Sequence, residues 1–171
     1  LVGISESETF KIKNSSSPFL NVVNKKSRVG DWEGDTIIGK DHRGVVVTLV
    51  EQKTQYAILA KPKTKQAKQV RQSIESILTP QRGQVHTITY DNGREFAEHQ
   101  KMDQTLSTNI YFAILIIHGK GLNSRSAKSV LRPHVRNWLT QDERTLAFTE
   151  APKNMGAAGA TYALLRGMKK L

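Results

Sequence analysis

The chain contains no cysteine, which excludes disulfides and thiolate metal sites and agrees with a reducing cytoplasm. It also lacks any apolar run near the roughly 20 residues that a membrane-spanning helix requires. Its longest run, I-Y-F-A-I-L-I-I from Ile110 to Ile117, has the length and content of a buried strand. The opening L-V-G-I-S-E-S-E has neither the basic start nor the apolar block of a secretory leader. No membrane association is expected, and nothing in the sequence points to a small-molecule substrate. Histidines are few, and His42, His86, His99, His118 and His134 show no metal-ligand spacing. Acidic residues are scarce in one region: none occurs between Asp103 and Asp142.

What is present is positive charge. The 171 residues carry a formal +11 with a pI near 10.0, which favours a polyanionic partner, DNA above all. The charge is uneven. Residues 1–103 hold 16 Lys/Arg against 12 Asp/Glu, a net +4, while residues 104–171 hold 10 against 3, a net +7.

Residues 1–24, with the run Ser15, Ser16, Ser17 before Pro18, read as an irregular lead-in. From there the pattern is regular. D-T-I-I-G (35–39), G-V-V-V-T-L-V (44–50) and Q-Y-A-I-L-A (55–60) are expected strands of an antiparallel meander, joined by the short links 40–44 and 51–54. Over Thr64–Leu78 the apolar residues Ala67, Val70, Ile74, Ile77 and Leu78 recur every three or four positions, the signature of a helix with one buried stripe. V-H-T-I-T-Y (85–90) returns to strand character, and a helix over 95–106 and a strand over 109–117 follow. The order β-β-β-α-β-α-β implies an α/β mixed sheet covered by helices. Past Gly119 the sequence is basic and poorly periodic, with a helical turn or two over Asp142–Phe148. An irregular tail is expected there.

Two carboxylates stand at strand ends. Asp35 lies in G-D-W-E-G-D and Asp91 closes the fourth strand in D-N-G. First and fourth strands of such a sheet are often neighbours, so the two can converge. Paired carboxylates on rigid strands suit Mg²⁺ or Mn²⁺. The alternative is that Asp35 caps a loop and Asp91-Asn92-Gly93 is an ordinary turn.

G-D-W-E-G-D-T-I-I-G, followed by G-V-V-V-T-L-V-E-Q-K-T and H-T-I-T-Y-D-N-G-R-E-F-A, resembles the catalytic core of bacterial insertion-sequence transposases, nearest the insertion-sequence-thirty family. The resemblance covers about Lys25 to Ala113. It implies a ribonuclease-H-like fold, metal-dependent DNA cleavage and strand transfer, and an active-site triad of two aspartates and a glutamate. Asp35 and Asp91 match the aspartates as catalytic and metal-binding residues. Asp31, Glu33, Asn92 and Gly93 match supporting positions, and Trp32 is assigned to core packing. Lys61, Lys63, Lys65, Lys68 and Arg71 are candidates for tracking DNA phosphates. Self-association or pairing with an intact transposase is implied as well, in a bacterial cytoplasm and at the nucleoid when DNA is bound.

The family's glutamate is missing. Where it follows a stretch like P-Y-H-S-W-E-R-G-L-N, this chain reads L-I-I-H-G-K-G-L-N-S, and Ser124 stands at its place. Codons for Pro-Tyr-His-Ser-Trp-Glu, read in a frame displaced by one base, can give Leu-Ile-Ile-His-Gly-Lys, the peptide at Leu115–Lys120. The expectation is a truncated or frameshifted core over 25–118, inactive for want of its third acidic ligand, with unrelated or disordered sequence over 119–171. A non-catalytic basic DNA-binding fragment is the competing reading. Glu95 and Glu98 are expected to be solvated helix residues.

Overall fold

The computed structural model describes residues 11–12, 26–40, 44–121 and 129–167. Ser124, the lead-in at 1–10 and 13–25, and the link at 41–43 lie outside the described residues. In chain order the strands are β1 (Lys11–Ile12), β2 (Asp31–Ile38), β3 (Val45–Glu51), β4 (Ala57–Ala60), β5 (Thr87–Tyr90), β6 (Asn109–Ile117), β7 (Thr145–Glu150) and β8 (Ala160–Arg166). The helices are α1 (Ala67–Leu78), α2 (His99–Leu106) and α3 (Leu131–Gln141). The chain forms two compact units, and the division falls inside β6, between Phe112 and Ala113.

Among the described residues, the larger unit holds those from 26 to 112 together with Gly167. Its β2, β3 and β4 are the expected antiparallel meander, while β5 pairs parallel to β2 on the other side and β6 parallel to β5. This is the expected mixed sheet. The inward residues of β2 and β3, Trp32, Val47 and Leu49, meet the α1 stripe Val70, Ile74 and Leu78, all buried. Each such aliphatic side chain contributes about 1.5–3 kcal/mol by leaving water. α2 adds Met102 and Leu106, then stops at Ser107, which takes a left-handed conformation. Asp31, 2% exposed, accepts two bonds from the Arg28 guanidinium at 2.8 Å and the Thr87 hydroxyl at 2.7 Å. That clasp ties the start of β2 to β5 and satisfies a buried charge that would otherwise be costly. Trp32 packs in the core, as expected.

Among the described residues, the smaller unit holds Lys11–Ile12, 113–121 and 129–166. Here β8 lies between β7 and the C-terminal part of β6, and the backbone of β1 pairs antiparallel with β7. α3 buries Val135 and Leu139 against Ala163, with Ile114, Ile116, Phe148 and Leu165 packed around them. This corrects the expectation of an irregular tail: residues 131–166 hold one helix and two strands. Asp142–Phe148 is likewise not helical, because Thr145–Glu150 pairs with β8. Pro133 masked the helix in the sequence. It sits in the first turn, where its missing N–H has no partner to lose.

Candidate functional site

Parallel pairing of β2 with β5 sets Gly34 opposite Tyr90. Asp35 and Asp91 are the next residues on the two chains, so the register itself brings the two aspartates together. The turn after β5 is held at both ends by aromatic packing: Tyr90 and Phe96, each 1% exposed, stack with centroids 4.0 Å apart. Asp91 accepts the Gly93 N–H at 3.1 Å, the turn reading of D-N-G. Turn and site are therefore compatible, since one carboxylate oxygen shapes the loop beside its neighbour strand. A side chain at position 93 would displace carboxylates. A Cβ there would lie 2.7 Å from the Glu95 carboxylate carbon and 3.0 Å from the Asp91 Oδ1.

Glu95 corrects an expectation. It is 7% exposed, not solvated, and accepts the Thr36 hydroxyl at 2.6 Å and Lys65 at 3.3 Å. The electrostatics record the crowding. Burial pushes the Asp91 carboxyl up and the Gly93 N–H opposes it, while the charges of Asp35 and Glu95 add to the rise and Lys65 offsets part of it. Glu95 is driven up by burial, yet the Thr36 hydroxyl, its own backbone N–H and Lys65 outweigh that and hold it below the usual carboxylate range. Three carboxyl groups thus share one small region, with a single lysine bridging one of them. The sequence signal for Glu95 was its place two residues past Gly93, just before Phe96. The reading as a helix start hid it.

The oxygen donors of Asp35 and Asp91 suit a hard divalent ion, and the raised Asp91 carboxyl is what a cation would relieve. The donor set is short of complete, because no group of three His, Cys, Asp or Glu side chains takes a metal-holding arrangement among the described residues. The other predicted residues distribute as follows. Asp31 is spent on Arg28 and Thr87, and Glu33 accepts a bond from Gln52 at 2.7 Å. Asn92 is exposed beside the site. Lys61, Lys63, Lys65 and Lys68 are exposed, but Arg71 is only 15% exposed and is held by Glu75 at 2.6 Å and Glu98 at 2.8 Å. Glu98 is thus an ion-pair partner rather than a free solvated residue, and it also holds Lys101.

In the smaller unit, H-G-K-G (118–121) ends β6 in a tight turn. Gly119 and Gly121 have φ of +78° and +74°, the left-handed region that suits glycine. His118, 8% exposed, makes two bonds of 3.0 Å, with the Gly119 carbonyl at Nδ1 and the Thr161 hydroxyl at Nε2. A carbonyl only accepts, so Nδ1 donates to Gly119, and Nε2 pairs with the Thr161 hydroxyl. The Gly119 carbonyl also accepts from Ser129, whose hydroxyl oxygen accepts the Arg132 N–H and so ties the turn to the start of α3.

Residues 85–166 match the model of a family described as Smr domain. The transposase for insertion sequence element IS4351 of Bacteroides fragilis is 40% identical over 91 residues, 53% of this chain and 28% of that protein. The probable transposase for insertion-like sequence element IS1161 of Streptococcus salivarius is 37% identical over 95 residues, 53% of this chain and 26% of that protein. The probable DNA endonuclease SmrA of Escherichia coli (strain K12) is 40% identical over 53 residues, 31% of this chain and 28% of that protein. About half of the chain is therefore homologous to insertion-sequence transposases. The chain spans little more than a quarter of the length of these curated relatives. Among solved structures, the catalytic core domain of BIV integrase aligns over 65% of this chain and 66% of that chain at 15% identity, with a TM-score of 0.42.

Proposed function

We propose that this chain joins a transposase catalytic-core fragment to an Smr-like half, and that its DNA-cleaving site is incomplete. The observation that carries the first part is the register of β2 on β5, which sets Asp35 beside Asp91. The two aspartates would hold Mg²⁺ or Mn²⁺, which when bound supplies charge neutralisation of a scissile phosphate and activation of water. Lys61, Lys63 and Lys68 would draw the DNA backbone toward that edge, whereas Arg71 is withheld by its two glutamates. Glu95 does not replace the missing family glutamate, because both Thr36 and Lys65 already engage it. The test is nicking of supercoiled DNA with Mn²⁺ by the full chain and by Asp91→Ala. Equal, near-background rates are expected. A clear rate for the parent that Asp91→Ala abolishes overturns the incomplete site.

The second part rests on the Smr-model match and on the helix and strands of 131–166. It replaces both the frameshift and the unrelated tail. I-L-I-I-H-G-K-G then needs no displaced reading frame, and its likeness to the transposase G-L-N is coincidental. The Smr-model match begins at Val85, inside the transposase-like stretch, so β5, α2 and the first half of β6 are shared ground for the two likenesses. Sequencing the gene tests this. No shifted frame encoding a P-Y-H-S-W-E-like peptide is expected at Leu115–Lys120, and finding one restores the frameshift. DNA is the partner this reading favours for both halves, in a bacterial cytoplasm at the nucleoid.

A further inference from the structure

A charged side chain taken out of water is normally paired with an opposite charge or a metal. Glu51 is 2% exposed, and among the described residues it meets only neutral donors. The Gly30 N–H at 3.1 Å and the Lys53 N–H at 3.3 Å reach its Oε1, while the Thr54 N–H at 2.7 Å and hydroxyl at 2.6 Å reach its Oε2. Burial pushes its carboxyl up, but the Thr54 hydroxyl and N–H, with the Lys53 and Gly30 N–H groups, outweigh that and hold it below the usual carboxylate range. The charge is kept without a cation to answer it.

A hollow of about 320 Å³ opens at the start of β2, lined by Trp32, Tyr56, Gln81 and Gln84 together with Glu51. Gly30 and Thr54, which grip the Glu51 carboxylate, line it too, so the charge belongs to its wall. No lysine, arginine or histidine lines it, in a chain of formal charge +11. Trp32 stands opposite Glu51 in the pairing of β2 with β3, so both side chains leave the sheet on one face. Trp32 is 4% exposed and its Nε1 has no hydrogen-bond partner among the described residues. We infer that this hollow binds a guanidinium group, the side chain of an arginine. Guanidinium stacks on aromatic faces such as Trp32 and Tyr56, and its flat fork of donors matches carboxylate and amide oxygens. Gln81 and Gln84 supply the amide oxygens. An arginine also carries a carbonyl, the kind of acceptor that the Trp32 N–H lacks. A hard divalent ion would need more oxygen ligands than this wall provides, and Glu51 repels phosphate. Trp32 and Asp35 lie an odd number of positions apart and leave β2 on opposite faces, so the inference does not rest on the aspartate pair.

The test uses the full chain carrying Trp138→Phe, in which tryptophan emission reports Trp32 alone. N-acetyl-argininamide should change that emission saturably, with a Kd on the order of 1 mM or tighter. N-acetyl-citrullinamide, of the same shape without the charge, should bind at least about 10-fold more weakly. Tyr56→Ala, at a position 61% exposed, should weaken binding by about 2- to 30-fold with the fold intact. Glu51→Gln should weaken it by at least about 10-fold, with circular dichroism as the check on its fold. If that variant unfolds, Tyr56→Ala and the citrulline compound carry the test. Asp91→Ala should bind like the parent, which separates this site from the carboxylates. Free arginine, tried beside the blocked form, tells an amino acid from a residue within a peptide: the tighter binder is the natural occupant. Absence of saturable binding, equal binding of the citrulline compound, or equal binding by Tyr56→Ala would each overturn the inference.

Discussion

The two units handle charge in opposite ways. The larger one concentrates Asp35, Asp91 and Glu95 at the end of a parallel strand pair and pays for the crowding with a raised Asp91 carboxyl. The smaller one has no acid from Ala113 until Asp142, and ends its own strand in a hydrogen bond between His118 and Thr161. Their cores differ too. The larger unit buries a long series of aliphatic and aromatic residues around α1, while the smaller rests on Val135, Leu139 and Ala163 with half-buried neighbours. A strand end packed that firmly can hold mutually repelling carboxylates. A thin core is better matched to polar groups that satisfy one another.

The largest expected effect tests the core comparison. Ile74→Ala, in the α1 stripe, should cost about 2–5 kcal/mol in chemical denaturation. Leu139→Ala should cost less overall and should raise amide exchange in α3 and β8 while leaving β2 and β3 protected. Equal loss of protection in both sets would break the division into two units. Next in size is the histidine pair. Thr161→Val leaves His118 Nε2 buried without its hydrogen-bond partner and should destabilise the smaller unit by about 1–3 kcal/mol, read as earlier proteolysis between 129 and 167. No change would mean that the pair is not what closes the turn.

The smallest effect concerns the carboxylates. The folded Asp91 carboxyl is raised, so the fold favours its protonated form. Ionisation therefore costs stability as pH climbs from the unfolded carboxylate range through the folded value, and the cost is fully present above it. Asp91→Asn should raise the melting temperature by about 1–3 °C near pH 7, and the gain should vanish below about pH 4. A gain that persists in acid would place the cause outside the charge cluster.

Much of the larger unit was legible because its physical signals are local. Val70, Ile74 and Leu78 repeat with the period of a helix, and β3 is a dense β-branched run. The aspartate pair was legible from strand order. Glu95 was not, because its burial depends on Thr36 and Lys65, far away in sequence. The smaller unit was opaque for different reasons. α3 carries a proline in its first turn and buries only Val135 and Leu139, which weakens its periodic signal. β7 follows Asp142-Glu143-Arg144, a charged cluster that resembles a loop, and β8 grows out of a small-residue run, Ala157 to Ala160. Nor did the sequence make plain that Arg71, on the basic face of α1, is committed to glutamates instead of phosphate.

The dividing point inside β6 carries a consequence in the arithmetic of odd and even positions. Ile110 and Phe112 serve the core of one unit, and Ile114 and Ile116 serve the core of the other. All four numbers are even. A strand repeats every two residues, so two sequences can be spliced in its middle without a linker only when they meet in phase. One residue added between Phe112 and Ala113 would turn Ile114 and Ile116 away from their core, whereas two would restore their phase. Of the two possible phases, this chain holds the one that keeps both cores filled.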